Sequence, residues 1–131
     1  MKRYLFVCVH NAGRSVMAEA FTNALSDGRA QGISAGTIPQ DSPHPEVVLA
    51  MKEVGIDVSE HAGRMLDDAL VSSADRVFTM GCAVDDAACP AILYTQVEDW
   101  ALPDPKGKPI EEVRAIRDEI RARVEGLLRE A

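Results

Sequence analysis

Cys8 and Arg14 are separated by five residues and Ser15 follows directly, a C-x5-R-S spacing. The apolar run Tyr4-Leu5-Phe6-Val7 ends at the cysteine, small or polar residues follow, and an amphipathic pattern begins at Val16. This reads as a buried strand, a tight loop and a helix N-terminus, with a thiol at the start of the loop and a guanidinium at its end. Such a loop turns several backbone N–H groups toward one point, where the helix dipole also favours negative charge. The same field favours a thiolate and so makes a cysteine nucleophilic. Arg14 adds a planar, bidentate donor for a tetrahedral oxyanion. Ser15 is placed to donate its hydroxyl to the thiolate, and Asn11 suits a left-handed backbone conformation within the loop. The oxyanion-binding set is therefore Val9, His10, Asn11, Ala12, Gly13, Arg14 and Ser15. Any small tetrahedral oxyanion fits it.

Two further thiols, Cys82 and Cys89, complete a set of three. An odd number in a chain without an export signal does not suggest a structural disulfide framework. The three have no CxxC spacing, and His10, His44 and His61 are not spaced with them as zinc ligands. Reactive thiol chemistry is the better reading.

The elements that would position these groups follow from the apolar pattern. Arg3 to Val9 is a near-continuous apolar run, as expected of a strand covered on both faces. Val16, Met17, Ala20, Phe21, Ala24 and Leu25 recur at helical spacing over Ser15 to Ser26, and Asp27-Gly28 supplies the stop. A strand of small residues, Gly32 to Thr37, lets another backbone approach, and the Cys8 loop is the expected neighbour. Pro45 is well placed as the first residue of a helix that buries Val47, Val48, Met51 and Val54 and ends at Gly55. Leu66 to Ser73 predicts a short helix with Asp67-Asp68 in its first turn. Arg76 to Met80 predicts a third strand and Ile92 to Val97 a fourth. Ile110 to Leu128 predicts one long amphipathic helix with Val113, Ile116, Ile120, Val124 and Leu127 buried and Arg114–Asp118 paired on its outer face. This alternation predicts an α/β fold, a doubly wound four-stranded parallel sheet with helices on both faces, in a single domain over residues 1–131. Ligands of such sheets bind beyond the carboxyl ends of the strands, which places Cys8, Gly36, Cys82 and Trp100 on one rim.

The 131 residues carry a net charge of −7, which argues against nucleic acid or an anionic membrane as partner. An acidic chain that binds an anion must do so through a local positive field. No apolar stretch approaches the ~20 residues that span a bilayer. The start, Met1-Lys2-Arg3 and a short apolar run, has the beginnings of a signal peptide, but the run ends at His10-Asn11 without a small-residue cleavage site. The expected setting is the cytoplasm.

The segment from Cys8 through Arg14-Ser15 to Glu19 resembles the oxyanion loop of the low-molecular-weight protein tyrosine phosphatase superfamily, and more narrowly that of the arsenate reductases built on the same fold. The resemblance continues through Ser34-Ala35-Gly36, Met51-Lys52-Glu53-Val54-Gly55-Ile56-Asp57, Cys82 with Cys89-Pro90, and Trp100 with Pro103-Asp104-Pro105. It implies that Cys8 attacks the arsenic of arsenate and that Asp104 protonates the leaving oxygen. It implies that Cys82 then attacks the adduct and releases arsenite, and that Cys89 takes over the resulting disulfide, with thioredoxin as reductant. Reduction needs two electrons, which two thiols supply by forming a disulfide. The segment from Cys82 to Cys89 would then have to move to present the oxidised pair. Phosphate and sulfate would compete for the loop, and no cofactor is implied.

Two departures bear on this. Superfamily phosphatases carry aromatic residues after the Asp-Pro that stack on phosphotyrosine, whereas this chain has Lys106-Gly107. Some thioredoxin-coupled reductases hold potassium near the loop through groups matching Asn11, Glu19, Ser34 and an acid that here aligns with Arg64. A guanidinium does not suit a cation site, so the expectation is no metal, with Arg64 replacing the ion and pairing with Glu19. Three readings compete with a thioredoxin-coupled reductase: a phosphatase for a small phosphomonoester, a reductase recycled by a low-molecular-weight thiol, and an oxyanion or arsenite sensor.

Overall fold

Tyr4 to Cys8 are buried without a break because their strand, β1 (Lys2–Cys8), lies between two others with helices over both its faces. The structure is a computed structural model and describes residues 1–81 and 97–130. The elements after β1 are α1 (Arg14–Leu25), β2 (Ala30–Gly36), α2 (Pro45–Glu53), α3 (Asp68–Ser73), β3 (Arg76–Thr79), β4 (Glu98–Asp99) and α4 (Ile110–Glu130). The four strands form one parallel sheet in the order β2-β1-β3-β4. Cys8 pairs with Gly36 at the carboxyl ends of β1 and β2, so the thiol opens on the rim where such sheets bind ligands.

The two-residue period of β1 divides the core in two. Tyr4, Phe6 and Cys8 join a large cluster with Val16, Met17 and Phe21 of α1, Val47 and Met51 of α2, and Ile116, Ile120 and Val124 of α4. Leu5 and Val7 face the other way, onto Ala35 and Val77, with Leu70 and Val71 of α3 over them. The doubly wound, four-stranded sheet with helices on both faces is thus observed, with the heavier layer under α1 and α4. Trp100 sits within the first cluster, its ring 4.9 Å from Phe78 and 5.6 Å from Phe6. It therefore anchors the chain leaving β4 in the core rather than facing the site.

Local signals account for the boundaries. Asp27 and Gly28 take positive φ values of 53° and 80° and end the first crossover. Pro45 opens α2, and Gly55 at φ 83° closes it. The short helix begins at Asp68 rather than Leu66, because Asp67 is extended and caps it, its carboxylate accepting from the Leu70 N–H at 2.8 Å. The expected Arg114–Asp118 pair does not form. Arg114 reaches across to Glu53 of α2 at 2.7 Å, and Arg117 takes Asp118. Glu53 offers Arg114 both of its carboxylate oxygens. The predicted fourth strand lies, except for Val97, outside the described residues; the described one is Glu98–Asp99. Cys82 and Cys89 also lie outside them.

Candidate active site

Between β1 and α1 the chain folds as a cradle whose only non-glycine residue with positive φ is Asn11, at 49°. Asparagine tolerates this conformation better than most residues, and here its side chain fixes the loop as well. The N–H of Arg64 donates to Asn11 Oδ1 at 3.0 Å, and His61 Nε2 lies 3.2 Å from the same oxygen. Because an amide N–H can only donate, Oδ1 is the acceptor, and Asn11 Nδ2 donates to Ser15 Oγ at 2.9 Å. Ser15 Oγ in turn lies 2.8 Å from Cys8 Sγ, with its own proton still available to donate to the sulfur. Asn11 and Ser15 are wholly buried, so nothing from solvent competes for these bonds. The chain of hydrogen bonds thus runs from Arg64 and His61 through Asn11 and Ser15 to the sulfur.

Gly13 caps α1 without a side-chain hydrogen bond, which leaves the first N–H groups of the helix to the loop and whatever it holds. Arg14 is buried, and its Nη1 donates to the carbonyls of Met80 at 2.5 Å and Leu102 at 2.8 Å. Both carbonyls lie just past strand ends. The carboxylate of Asp99 holds that region together, accepting from the Thr79 hydroxyl and the N–H groups of Gly81 and Ala101. The guanidinium is thereby oriented by the sheet.

Cys8, Val9, His10, Ala12, Gly13, Arg14, His44 and Asp104 line one pocket of about 130 Å³. That is small beside the ~300–1,000 Å³ clefts that take drug-sized molecules, and it suits a single small anion. Asp104 is half-buried, and its Oδ1 accepts from the Lys106 N–H, an Asx turn that aims the carboxyl at the pocket. The loop carrying it packs on the cradle, since Pro105 stands 3.2 Å from where a Cβ on Gly13 would lie. His10 Nδ1 donates to the Ile38 carbonyl at 3.1 Å.

Of the supporting residues, Glu19 and Ser34 meet at 2.8 Å as expected of neighbours behind the loop. Arg64 does not pair with Glu19. Its backbone crosses the cradle, with its N–H on Asn11 and its carbonyl accepting from the Gly36 N–H, so the side chain is turned outward and exposed. His61 stands beside Glu19 instead, Nδ1 to Oε2 at 3.6 Å. Among the described residues no three His, Cys, Asp or Glu side chains gather as a metal would require. Nor is any helix among them long and apolar enough to cross a membrane.

Sequence reasoning did not single out two residues that the fold brings here, His44 and His61. His44-Pro45 is a helix start on the rim of a parallel sheet, and that placement is the signal that could have flagged it. His61 has no comparable mark, since it belongs to an irregular stretch.

The model of the low molecular weight phosphotyrosine protein phosphatase family matches residues 3–131. The chain is 41% identical over 133 residues to a putative arsenate reductase of Halobacterium salinarum, covering 98% of this chain and 92% of that one. It superposes with a TM-score of 0.84 and 34% identity on an arsenate reductase in the phosphate binding state, covering 99% and 98% of the two chains. A thioredoxin-dependent arsenate reductase of Corynebacterium glutamicum superposes with a TM-score of 0.78 at 31% identity, over 99% of this chain and 61% of that one.

Proposed function

The chain belongs to the low molecular weight phosphotyrosine protein phosphatase family, and from that premise we propose that it reduces arsenate to arsenite through Cys8, Cys82 and Cys89, with thioredoxin as the reductant. The observation that supports this most directly is near-full-length kinship with arsenate reductases, joined to a small pocket lined by Cys8, Arg14 and Asp104. Arsenate is held by the loop N–H groups and Arg14. The Cys8 thiolate attacks arsenic, and an oxygen leaves as water with the proton of Asp104. The Cys82 thiolate then attacks Cys8 Sγ. The sulfur–arsenic bond breaks with its electron pair passing to arsenic, arsenite departs, and a Cys8–Cys82 disulfide remains. Cys89 attacks Cys82, frees Cys8, and leaves a disulfide for thioredoxin to reduce. Such a cycle belongs in the cytoplasm, where thiols are kept reduced.

The test is arsenate-dependent NADPH oxidation with thioredoxin and thioredoxin reductase, repeated for each Cys→Ser variant. All three variants should lose multiple turnover, and mass spectrometry should find Cys8–Cys82 before Cys82–Cys89. A Cys82→Ser variant that keeps full turnover on a small phosphomonoester, with no arsenate activity in the parent protein, would establish a phosphatase instead.

A further inference from the structure

His44 is 8% exposed and lines the anion pocket with Cys8, Arg14 and Asp104. Its backbone is fully engaged, the N–H donating to the Ala12 carbonyl at 2.9 Å and the carbonyl accepting from Val47 and Val48 as α2 begins. Its ring is not. Among the described residues neither imidazole nitrogen has a hydrogen-bond partner, and neither is among the sealed, unpaired polar atoms, which are Arg3 Nε and Thr37 Oγ1. The ring nitrogens are therefore reached from open space, where water or a bound molecule can pair with them. Here the open space beside it is the pocket.

We propose that His44 is a further substrate-binding residue, whose ring N–H donates a hydrogen bond to the oxyanion seated over Cys8. This deepens the reading above and depends on it only for the identity of the natural anion. The contact adds a directional donor from the pocket wall, on a helix start that the Ala12 contact ties to the cradle itself. It gives the pocket a side-chain ligand whose strength varies with pH. Burial holds the imidazole neutral to lower pH than usual; Glu46 and Asp104 work against this, and Lys106 and His10 with it. Near neutrality the ring is therefore a neutral donor. In acid it gains a charge and grips the anion harder.

The test measures the affinity of reduced protein for inorganic phosphate, by calorimetry, for wild type, His44→Ala and His44→Gln at pH 7.5 and 5.5. Each variant keeps the backbone bond to Ala12, and thermal unfolding verifies the fold. His44→Ala should bind phosphate about tenfold more weakly at pH 7.5, and its deficit should widen toward acid as the wild-type ring takes up a proton. His44→Gln, which keeps an N–H of similar reach, should recover part of the affinity at pH 7.5 and none of the widening. Phosphate affinity within twofold of wild type in His44→Ala at both pH values overturns the proposal. So does a deficit that glutamine does not relieve and that is flat with pH, since that marks a merely structural role. Arsenate turnover of the wild type in the same preparation separates the two ideas. Phosphate binding that depends on His44 without arsenate turnover keeps the ligand and removes the reductase; turnover without that dependence does the reverse.

Discussion

Asn11 carries two separate burdens, a left-handed backbone and three side-chain hydrogen bonds that run from Arg64 and His61 to Ser15. The two can be separated by substitution. Asn11→Gly keeps the conformation and loses the bonds, leaving buried donors unpaired, at a cost of about 1–3 kcal/mol. Asn11→Ala loses the bonds and must also hold an unfavourable φ, at about 1 kcal/mol more. Denaturant unfolding should therefore rank the variants wild type, glycine, alanine. Equal stabilities for glycine and alanine would show that the backbone conformation matters less than its angle suggests. The same residue explains why the loop was readable from sequence. A thiol, an αL-tolerant residue, an arginine and a serine at fixed offsets are local chemistry, and all four lie within eight residues of chain. His44, His61 and the Leu102 carbonyl reach the site from distant segments, and nothing local to them announces it.

Elements meet here at unusually close range because β2 is made of small residues. A Cβ on Gly36 would lie 2.6 Å from the Val9 carbonyl oxygen and 2.9 Å from the Asn11 nitrogen, both backbone atoms of the cradle. Neither can yield without moving the loop. Gly36→Ala should accordingly cost about 2 kcal/mol or more in stability and weaken phosphate binding by more than about tenfold. Gly28→Ala is the control. Its φ of 80° makes alanine strained, by about 1 kcal/mol, but nothing lies within 4 Å of the added atom. Its phosphate affinity should equal wild type. If the two variants bind phosphate alike, strand β2 does not shape the cradle. This closeness was legible too, since a strand of Gly, Ser and Ala beside an apolar central strand calls for a backbone neighbour. The turning of Arg64 was not. Its sequence position says only that it is near the loop, and whether side chain or main chain faces inward is decided by the Gly36 N–H that its carbonyl must accept.

Across the whole molecule, α4 holds α2 in place at the end opposite the pocket. Arg114 grips Glu53 through both carboxylate oxygens, and Arg117, buried on the apolar stripe of α4, donates to Glu53 and to the Ala50 carbonyl. Glu53 is the last residue of α2, and His44 precedes its first, so this clamp fixes the far end of the helix whose start lines the anion site. The hydrogen bond from Arg114, aided by Arg117, holds the Glu53 carboxyl below its ordinary value of 4.5. A carboxylate depressed in the folded state stabilises the fold fully above its unfolded value and loses that contribution as pH falls through the folded one. Wild type should therefore be more stable than Glu53→Gln at pH 7. Its melting temperature should fall more steeply on acidification below about pH 4.5, until the two proteins converge. The pair is open to solvent, so the difference should be modest and shrink in high salt. Melting curves that stay parallel from pH 7 to pH 3 would mean that the arginines gain nothing from the charge. The burial of α4 against α1 and α2 would then be what sets the helix, and with it the wall of the site.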